Sequence, residues 1–525
     1  MALNTKTASE IVAYLQKLSS NIDLTSDCLA IILAAGHGKR IKSETSKMLH
    51  EVWGAPTVVR VANAAKEGLG TESQIIIVGI KANAVADFLG KNRHRMFVFQ
   101  SEQKGTGDAV HTALEAIPNR KYTGDVYIFP GDMGLLHAED VRKFKSDFNA
   151  NPCDMMVLTG FYEGNPKSNC YGRILRVPAK DILCHSSGAD YGKVIEIKEH
   201  RDILALEPNV IYQVDYNGRT YGYTREELIN IREYNTGVFA FKAEKLQTHI
   251  QKLQADNVQK ELYVTDLISI FNKNGLTVKA AKAADNRTIL GFNEKSVLKE
   301  MEKIARRQVY EKLKNIITIE DMDDFFIADE VVEQIIELDR QHGPLDIIIG
   351  KGVHIGKNVR LNKGVQIKNE AYLAGHVILG ERVRIQEYVH LSTYDHQTLH
   401  VGRNSELFKG DIIKGNLTIG ENCQIESSVN MTGSDEFPTI IGNNVVIKGT
   451  SYIFGSIIED DLWIEHSVLK FKYVEKTLKK DGTVQPVRFV LPLPEGLDSI
   501  KQITQKGQGV EQLDTGRMRN IKQEK

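Results

Sequence analysis

The chain has 525 residues, 42% of them hydrophobic, a formal net charge of −1 and five cysteines. That length exceeds one ordinary hydrophobic core and predicts at least two domains, and the balanced charge excludes a global field that would draw nucleic acid or an anionic membrane. Cys28, Cys153, Cys170, Cys184 and Cys423 contain no CxxC pair, and no apolar run nears the roughly 18 residues of a membrane span or forms a secretory signal core; reduced thiols, no zinc site, no disulfide framework and a soluble cytoplasmic protein are expected.

Residues 1–27 read as a short amphipathic helical extension, with Ile11, Val12, Leu15 and Leu18 at helical spacing. From 28 to 293 short apolar runs alternate with helical patterns. LAIILAA precedes a helix over 57–67, QIIIVGI one over 82–90, RMFVFQ one over 107–116 and DVYIFPGD one over 138–149; DMMVLTGF follows. Buried strands alternating with helices predict an α/β domain with a mainly parallel sheet, whose ligands sit in loops at the carboxyl ends of strands. Residues 294–344 are expected to be a helical linker. The mixed charges of 294–314 read as a solvated face, since neither sign dominates.

Beyond Pro344 the period becomes six. Ile349, Ile355, Leu361, Ile367, Leu373, Leu379, Ile385 and Leu391 form one series, and Val353, Val359, Val365, Ala371, Val377, Val383 and Val389 lie four residues after each of the first seven. Neither a helix nor an ordinary strand gives this period; a β-helix of hexapeptide repeats does, with one aliphatic side chain inward per face. The series resumes at Ile413, Ile419, Ile425 and Met431, and again at Ile441, Ile447 and Ile453. The β-helix is therefore placed at 345–469, with 392–412 and MTGSDEFPT as excursions from the coil. By itself such a repeat implies a rigid stack and no catalysis. Residues 470–525 are read as a hairpin around Asp481-Gly482 and a polar tail.

The most informative stretch is LAAGHGKRIKSETSKMLHEVWGAP, Leu33 to Pro56. A strand, a glycine-bearing turn and then cations make a phosphate cradle, because glycines let backbone amides approach an anion that Lys and Arg neutralise. GxxxxGK[ST] and GxGxxG are both absent. Taken alone, the GxG is an ordinary strand-to-helix turn.

This stretch resembles the signature of sugar-phosphate nucleotidyltransferases, and most closely that of the bacterial N-acetylglucosamine-1-phosphate uridylyltransferases, LAAGxGTRM…PKxLHxxxGKP. Further motifs follow in the same order: Gln100–Gly107 (QxEQxGTGHA), Pro130-Gly131-Asp132 (YGD), Tyr171–Ile174 (YGRI), Gly192-Lys193-Val194 with Glu199–Asp202 (GKV…EHKD), Glu233–Gly237 (EINTG), Glu261–Asp266 (EYYLTD) and Gly291-Phe292-Asn293 (GVN). Departures are His37 and Lys39 for Lys and Thr, Ser46 for Pro, and a long insertion at 203–232. The resemblance implies a Rossmann-like nucleotidyltransferase domain followed by a left-handed parallel β-helix. It also implies attack of N-acetylglucosamine-1-phosphate on the α-phosphate of UTP with Mg²⁺ as cofactor. Arg40 and Lys47 would be catalytic, and Ala35, Gly36, Gln100, Gly105 and Thr106 would bind nucleotide. Gly172, Glu199 and Asn235 would bind sugar, and Asp132 and Asn293 the metal. Read without the resemblance, Asp132 is equally a turn residue, Glu199 a surface acid and Asn235-Thr236-Gly237 a plain turn.

Bifunctional members of that family also acetylate glucosamine-1-phosphate on the β-helix. Laying Gly420-Glu421-Asn422 on the family pattern puts Gly410 where the general-base histidine belongs and Ile413 where a tyrosine belongs, while His390 falls on another coil. Glycine cannot take a proton, so acetyl transfer is expected to be absent. His396 reads as a surface-loop histidine. Outward Tyr372, Ile378 and Tyr388 are more apolar than a free face favours, and with the resemblance they point to a homotrimer. Two alternatives stay open: the same chemistry on another sugar phosphate such as glucose-1-phosphate, and a catalytically silent oligomeric scaffold.

Overall fold

In the computed structural model, residues 7–36, 38, 41–118 and 122–490 are described, and they divide into two compact units at Glu311/Lys312. The first is built on a nine-stranded sheet. Its main path runs Val278–Lys282, Met155–Phe161, Glu233–Lys242, Asp125–Pro130, Cys28–Ala34, Gln74–Val78, Arg95–Phe99. Only Glu233–Lys242 on this path runs antiparallel to its neighbours. The strand Cys28–Ala34, CLAIILA, is buried along nearly its whole length, as a strand covered on both faces must be. Helices Thr57–Leu69 and Ala138–Ala150 pack on one face, and Thr106–Glu115 and Leu267–Lys273 on the other. The helix Ala8–Leu18 lies along the edge strand Arg95–Phe99, where Ser20 N donates to Arg95 O and Phe97 N to Ser19 Oγ. Leu15 is buried beneath it and Val12 is exposed.

The chain leaves Cys28–Ala34 toward Gln74–Val78 on one side and returns at Asp125–Pro130 on the other. This reversal opens a crevice at the carboxyl ends of the two strands. The insertion folds as a hairpin, Tyr212–Tyr216 with Arg219–Tyr223, and short helices His200–Ala205 and Arg225–Asn230. Ile203, Tyr221 and Leu228 form a small core together with Leu175, Val177 and Ile195.

The expected linker is not a free connector. Helix Lys295–Leu313 falls almost wholly in the first unit, with Met301, Ala305 and Val309 buried and the Glu302 carboxylate accepting from Trp53 N at 2.9 Å. The coil begins before 345: Thr318–Ile319 and Phe325–Ile327 pair in parallel with Ile348–Ile349 and Val353–Ile355. Helix Asp329–His342 separates these two strands from the regular series, so the period of six does not run on into them.

The second unit holds three all-parallel sheets that form the faces of a β-helix. Both aliphatic series point inward and are at most 2% exposed. Corners take positive φ, at Asn404, Asn422 and Asn444 among others, and these asparagine amides bond in a ladder along one edge. The supposed excursion over 392–412 is shorter than expected. Leu399–Val401 and Glu406–Leu407 are regular rungs, and the coil departs only near 393–398. Four added residues move the phase, so counting by six from Leu391 lands on Gln397 and Arg403, whereas Val401 and Leu407 lead on to Ile413. Rungs also continue past 469, to Tyr473–Val474. The turn at Asp481-Gly482 is present, with Gly482 N donating to Lys479 O; the tail beyond 490 lies outside the described residues.

Asp411 is fully buried at a corner of the coil; one carboxyl oxygen accepts from Val429 N and the other has no partner. Burial pushes its carboxyl up to about 8. The folded chain therefore keeps a proton that the unfolded chain releases near pH 4, and this site's contribution to stability is lost as pH rises from about 4 to about 8. Asp411→Asn is expected to remove that dependence. Its melting temperature should gain on the parent progressively between pH 4 and 8 and no further above; parallel curves would refute the assignment.

Candidate functional site

A cleft of about 710 Å³ opens at the crevice of the first unit. Ala35, Gly36, Gln100, Gly105, Thr106, Asp132, Glu199 and Asn235 all line it, although they come from six separate stretches of chain. Lys47 and Asn293 meet Asp132 beside it. Gly172 lies behind Glu199, its carbonyl accepting from Asn235 N at 2.9 Å. Arg40 lies outside the described residues.

Gly38 and Gly105 are glycines for local reasons. Gly38 has φ +60°, and a Cβ there would lie 2.7 Å from Lys47 Cβ, so the lysine stem packs directly on the turn. Gly105 has φ +110°, and a Cβ would fall 2.3 Å from Leu262 O. Gly107 N donates to Leu262 O and Val264 N to Thr106 Oγ1, which ties the start of helix Thr106–Glu115 to the 262–264 segment. The buried Gln100 side chain donates from Nε2 to Asp108 Oδ2 at 2.7 Å, and so is held in a fixed pose.

Lys47 is buried, and its ammonium is shared by Asp132 Oδ2, in an ion pair, and Asn293 Oδ1, at 2.9 Å. It also stands 5.4 Å over the Phe292 ring. Two hard oxygens thus converge on one cationic point. Asp and Asn oxygens suit a Mg²⁺ that draws its remaining ligands from substrate phosphates and water. Among the described residues no cluster of three or more His, Cys, Asp or Glu could hold a metal without such help.

The other end of the cleft is acidic. Burial, with the neighbouring Asp202 and Asp266 carboxylates, raises the Glu199 carboxyl to about 7 against the opposing pull of Arg173. Burial likewise raises Asp266 to about 7, and Glu196 in direction. Tyr212 of the insertion donates to Glu196 Oε1 at 2.6 Å and accepts from Lys198 Nζ at 3.1 Å. No residue of 203–232 lines the cleft; the insertion reaches it through the strand Val194–Lys198 and through Ile203 N, which donates to Glu199 O at 3.0 Å. Asn235 precedes a bulge in Glu233–Lys242, where pairing with Met155–Phe161 slips between Asn235 and Phe239. Gly237 N donates to Asn235 Oδ1 there, at 2.8 Å. Tyr171 and Tyr234 stack at 4.6 Å beside this segment.

Arg201, Gln259 and Tyr263, which are not among the residues expected from sequence, also line the cleft. Arg201 donates to Gln259, and Gln259 to Tyr263 Oη at 2.6 Å. Arg201 lies in EHRD and Tyr263 in ELYVTD, and Gln259 just precedes the latter, but polar residues in charged loops carry no mark of facing inward.

On the β-helix, Gly410 is a positive-φ corner, with no side chain to act as a base. Ile413 faces the interior and is fully buried, so this position packs the coil and offers no hydroxyl to a ligand. His390 stacks on Tyr372, and His396 is exposed and paired with Asp435 at 2.8 Å.

A family model described as MobA-like NTP transferase domain matches residues 30–191. The chain is similar to the bifunctional protein GlmU of Geobacter metallireducens, 33% identical over 287 residues, 55% of this chain and 52% of that one. With GlmU of Clostridium tetani it shares 34% over 325 residues, 62% of each. With that of Corynebacterium aurimucosum it shares 32% over 309 residues, 58% of this chain and 55% of the other. The match spans little more than half the length of these relatives. Over that span the chain is similar to these GlmU proteins, in line with its motifs.

Arg173 is fully buried and fastens the loop that leads to Gly172, donating to the carbonyls of Tyr171, Pro166 and Asn169. Arg173→Met would strand these acceptors. It is expected to lower stability by about 2–4 kcal/mol, read as a reduced denaturation midpoint at unchanged m-value. A wild-type midpoint would show that the loop is held by other means.

Proposed function

We propose that this chain, a relative of the bifunctional GlmU proteins with a MobA-like NTP transferase domain, transfers UMP from UTP to N-acetylglucosamine-1-phosphate and releases pyrophosphate. The observation that carries this reading is the gathering of eight separately chosen positions around one cleft, with a cationic end and an acidic end. The glycine turn after Cys28–Ala34 and Lys47 suit a triphosphate; Gln100, fixed by Asp108, suits one edge of a base. Glu199 and Asn235 offer acceptors to sugar hydroxyls. Asp132 and Asn293 would hold Mg²⁺, which supplies charge neutralisation at the reacting phosphate. The residues' own work is alignment of the attacking phosphate oxygen and screening of the charge that develops as pyrophosphate leaves.

In this proposal the β-helix has no acetyltransferase activity and serves to assemble a homotrimer. On one of its faces Phe326, His354, Tyr372 and His390 stack in succession at 4.5–4.9 Å; Ile412 continues the column half-exposed, and Tyr452 follows beyond Asn430. The proposed setting is the cytoplasm, with neither nucleic acid nor membrane as partner. The five cysteines are free thiols, and among the described residues no helix is long and apolar enough to cross a membrane.

The test is pyrophosphate release across a panel of nucleotides and sugar-1-phosphates. UTP with N-acetylglucosamine-1-phosphate should be the best pair, and Asp132→Ala should lose turnover by roughly 10²-fold or more at an unchanged melting curve. Preference for glucose-1-phosphate would redirect the sugar assignment, and no release with any pair would favour a silent scaffold. Acetyl-CoA with glucosamine-1-phosphate should yield no thiol.

The Glu199 carboxyl gives a second expectation. Raised to about 7, it is ionised and accepts from sugar hydroxyls above that pH, and loses this capacity on protonation below it. KM for the sugar phosphate should rise on the order of 5- to 10-fold from pH 8 to pH 6. Glu199→Gln should flatten that dependence; the same profile in the variant would place the titration elsewhere, on Asp266 or on the substrate.

A further inference from the structure

The position of Lys47 raises a question beyond phosphate binding. Its ammonium already satisfies both oxygens assigned to the metal: it is ion-paired with Asp132 and donates to Asn293 at 2.9 Å. Both charged side chains are well shielded, 9% exposed for Lys47 and 15% for Asp132, so water screens neither strongly. A divalent cation that takes the same two oxygens must displace the ammonium, because like charges cannot share one pair of ligands at this depth. Lysine is suited to such a move. Its charge sits on a flexible four-carbon stem, whereas the planar guanidinium of arginine would lock onto the carboxylate. The base of that stem is held against Gly38, so only the distal carbons and the ammonium are free to turn. An alternative for the cation is the glycine turn at Ala35–Gly36, which lines the cleft and where a bound triphosphate would supply negative charge.

We propose that Lys47 is an exchangeable internal counter-ion: it neutralises Asp132 in the empty cleft, excludes a free divalent cation, and yields the Asp132–Asn293 pair when a nucleotide triphosphate draws its ammonium away. Metal and nucleotide then enter together. The inference rests on the reading of Asp132 and Asn293 as metal ligands, and it assigns Lys47 a gating role that the sequence motif does not contain.

The experiment titrates Mn²⁺ into the full-length protein without nucleotide and follows the free ion by electron paramagnetic resonance, at fixed ionic strength. Lys47→Met keeps the stem and removes the charge; Lys47→Gln is a second variant, and circular dichroism checks that both are folded. Both should bind Mn²⁺ at least about 5-fold more tightly than the parent protein, as expected when a competing cation is removed from a shielded carboxylate. Adding the uncleavable α,β-imido analogue of UTP should tighten Mn²⁺ binding in the parent much more than in Lys47→Met. Equal or weaker Mn²⁺ binding by the variants, with analogue binding retained, would overturn the counter-ion role and leave the nucleotide reading standing. A double variant, Lys47→Met with Asp132→Asn, should lose the tight site. If it binds Mn²⁺ as well as Lys47→Met does, or if no protein binds Mn²⁺ even with the analogue, the metal assignment falls and the inference with it.

Discussion

A parallel sheet whose connections leave one strand in opposite directions cannot close over that strand's carboxyl end. The rest of the first unit depends on this constraint. Cys28–Ala34 is flanked by Gln74–Val78 and Asp125–Pro130, and the loops after all three run outward around the same opening. Lys47 and Asp132 lie in the segments after two of these strands, and Asn293, far along the chain, joins them through its bond to Lys47. The buried strands beneath are almost without solvent exposure, so the rim is carried on a rigid floor.

The rim is electrically divided. At one end a lysine ammonium answers a single carboxylate, with an amide oxygen and an aromatic face completing its surroundings. At the other, Glu196, Glu199, Asp202 and Asp266 crowd together with too few cations, and burial holds two of them near neutrality in charge preference. On the proposed reading the first end meets phosphates, and the second meets a polyol that donates hydrogen bonds and brings no charge. The insertion hairpin then has a modest task. Its Tyr212 steadies Glu196 on the strand leading to Glu199, without entering the cleft.

The alternation of strands and helices was legible because each buried strand is an uninterrupted apolar run, and the β-helix because a period of six has no other common source. The cleft positions became legible only through ordered motifs; Glu199 and Asn235 carry no local sign that they face inward. Three things stayed hidden for physical reasons. The coil's first rungs are cut off from the regular series by helix Asp329–His342, and the role of helix Lys295–Leu313 depends on contacts with distant Trp53 and on burial of Met301. The rungs at Leu399–Val401 and Glu406–Leu407 were masked by a phase shift of four, since a repeat counted at fixed spacing fails after any addition that is not a multiple of six.

That phase shift occurs twice, after His390–Ser392 and after Asn430–Gly433, and both times the added residues leave the coil at the same corner. Each raises the separation between stacked partners from 18 residues, as in Ile367 and Ile385, to 22, as in Ile385 and Leu407 or Ile425 and Ile447. The faces above and below keep their pairing, because every coil closes on itself before it meets the next. Across the intervening coil the two loops touch through His396 and Asp435 and through Gln397 and Asp435. Length at this corner is thus decoupled from the architecture of the stack. Insertions there can drift, lengthen or acquire new chemistry along one edge of the prism while the fold that displays them stays the same.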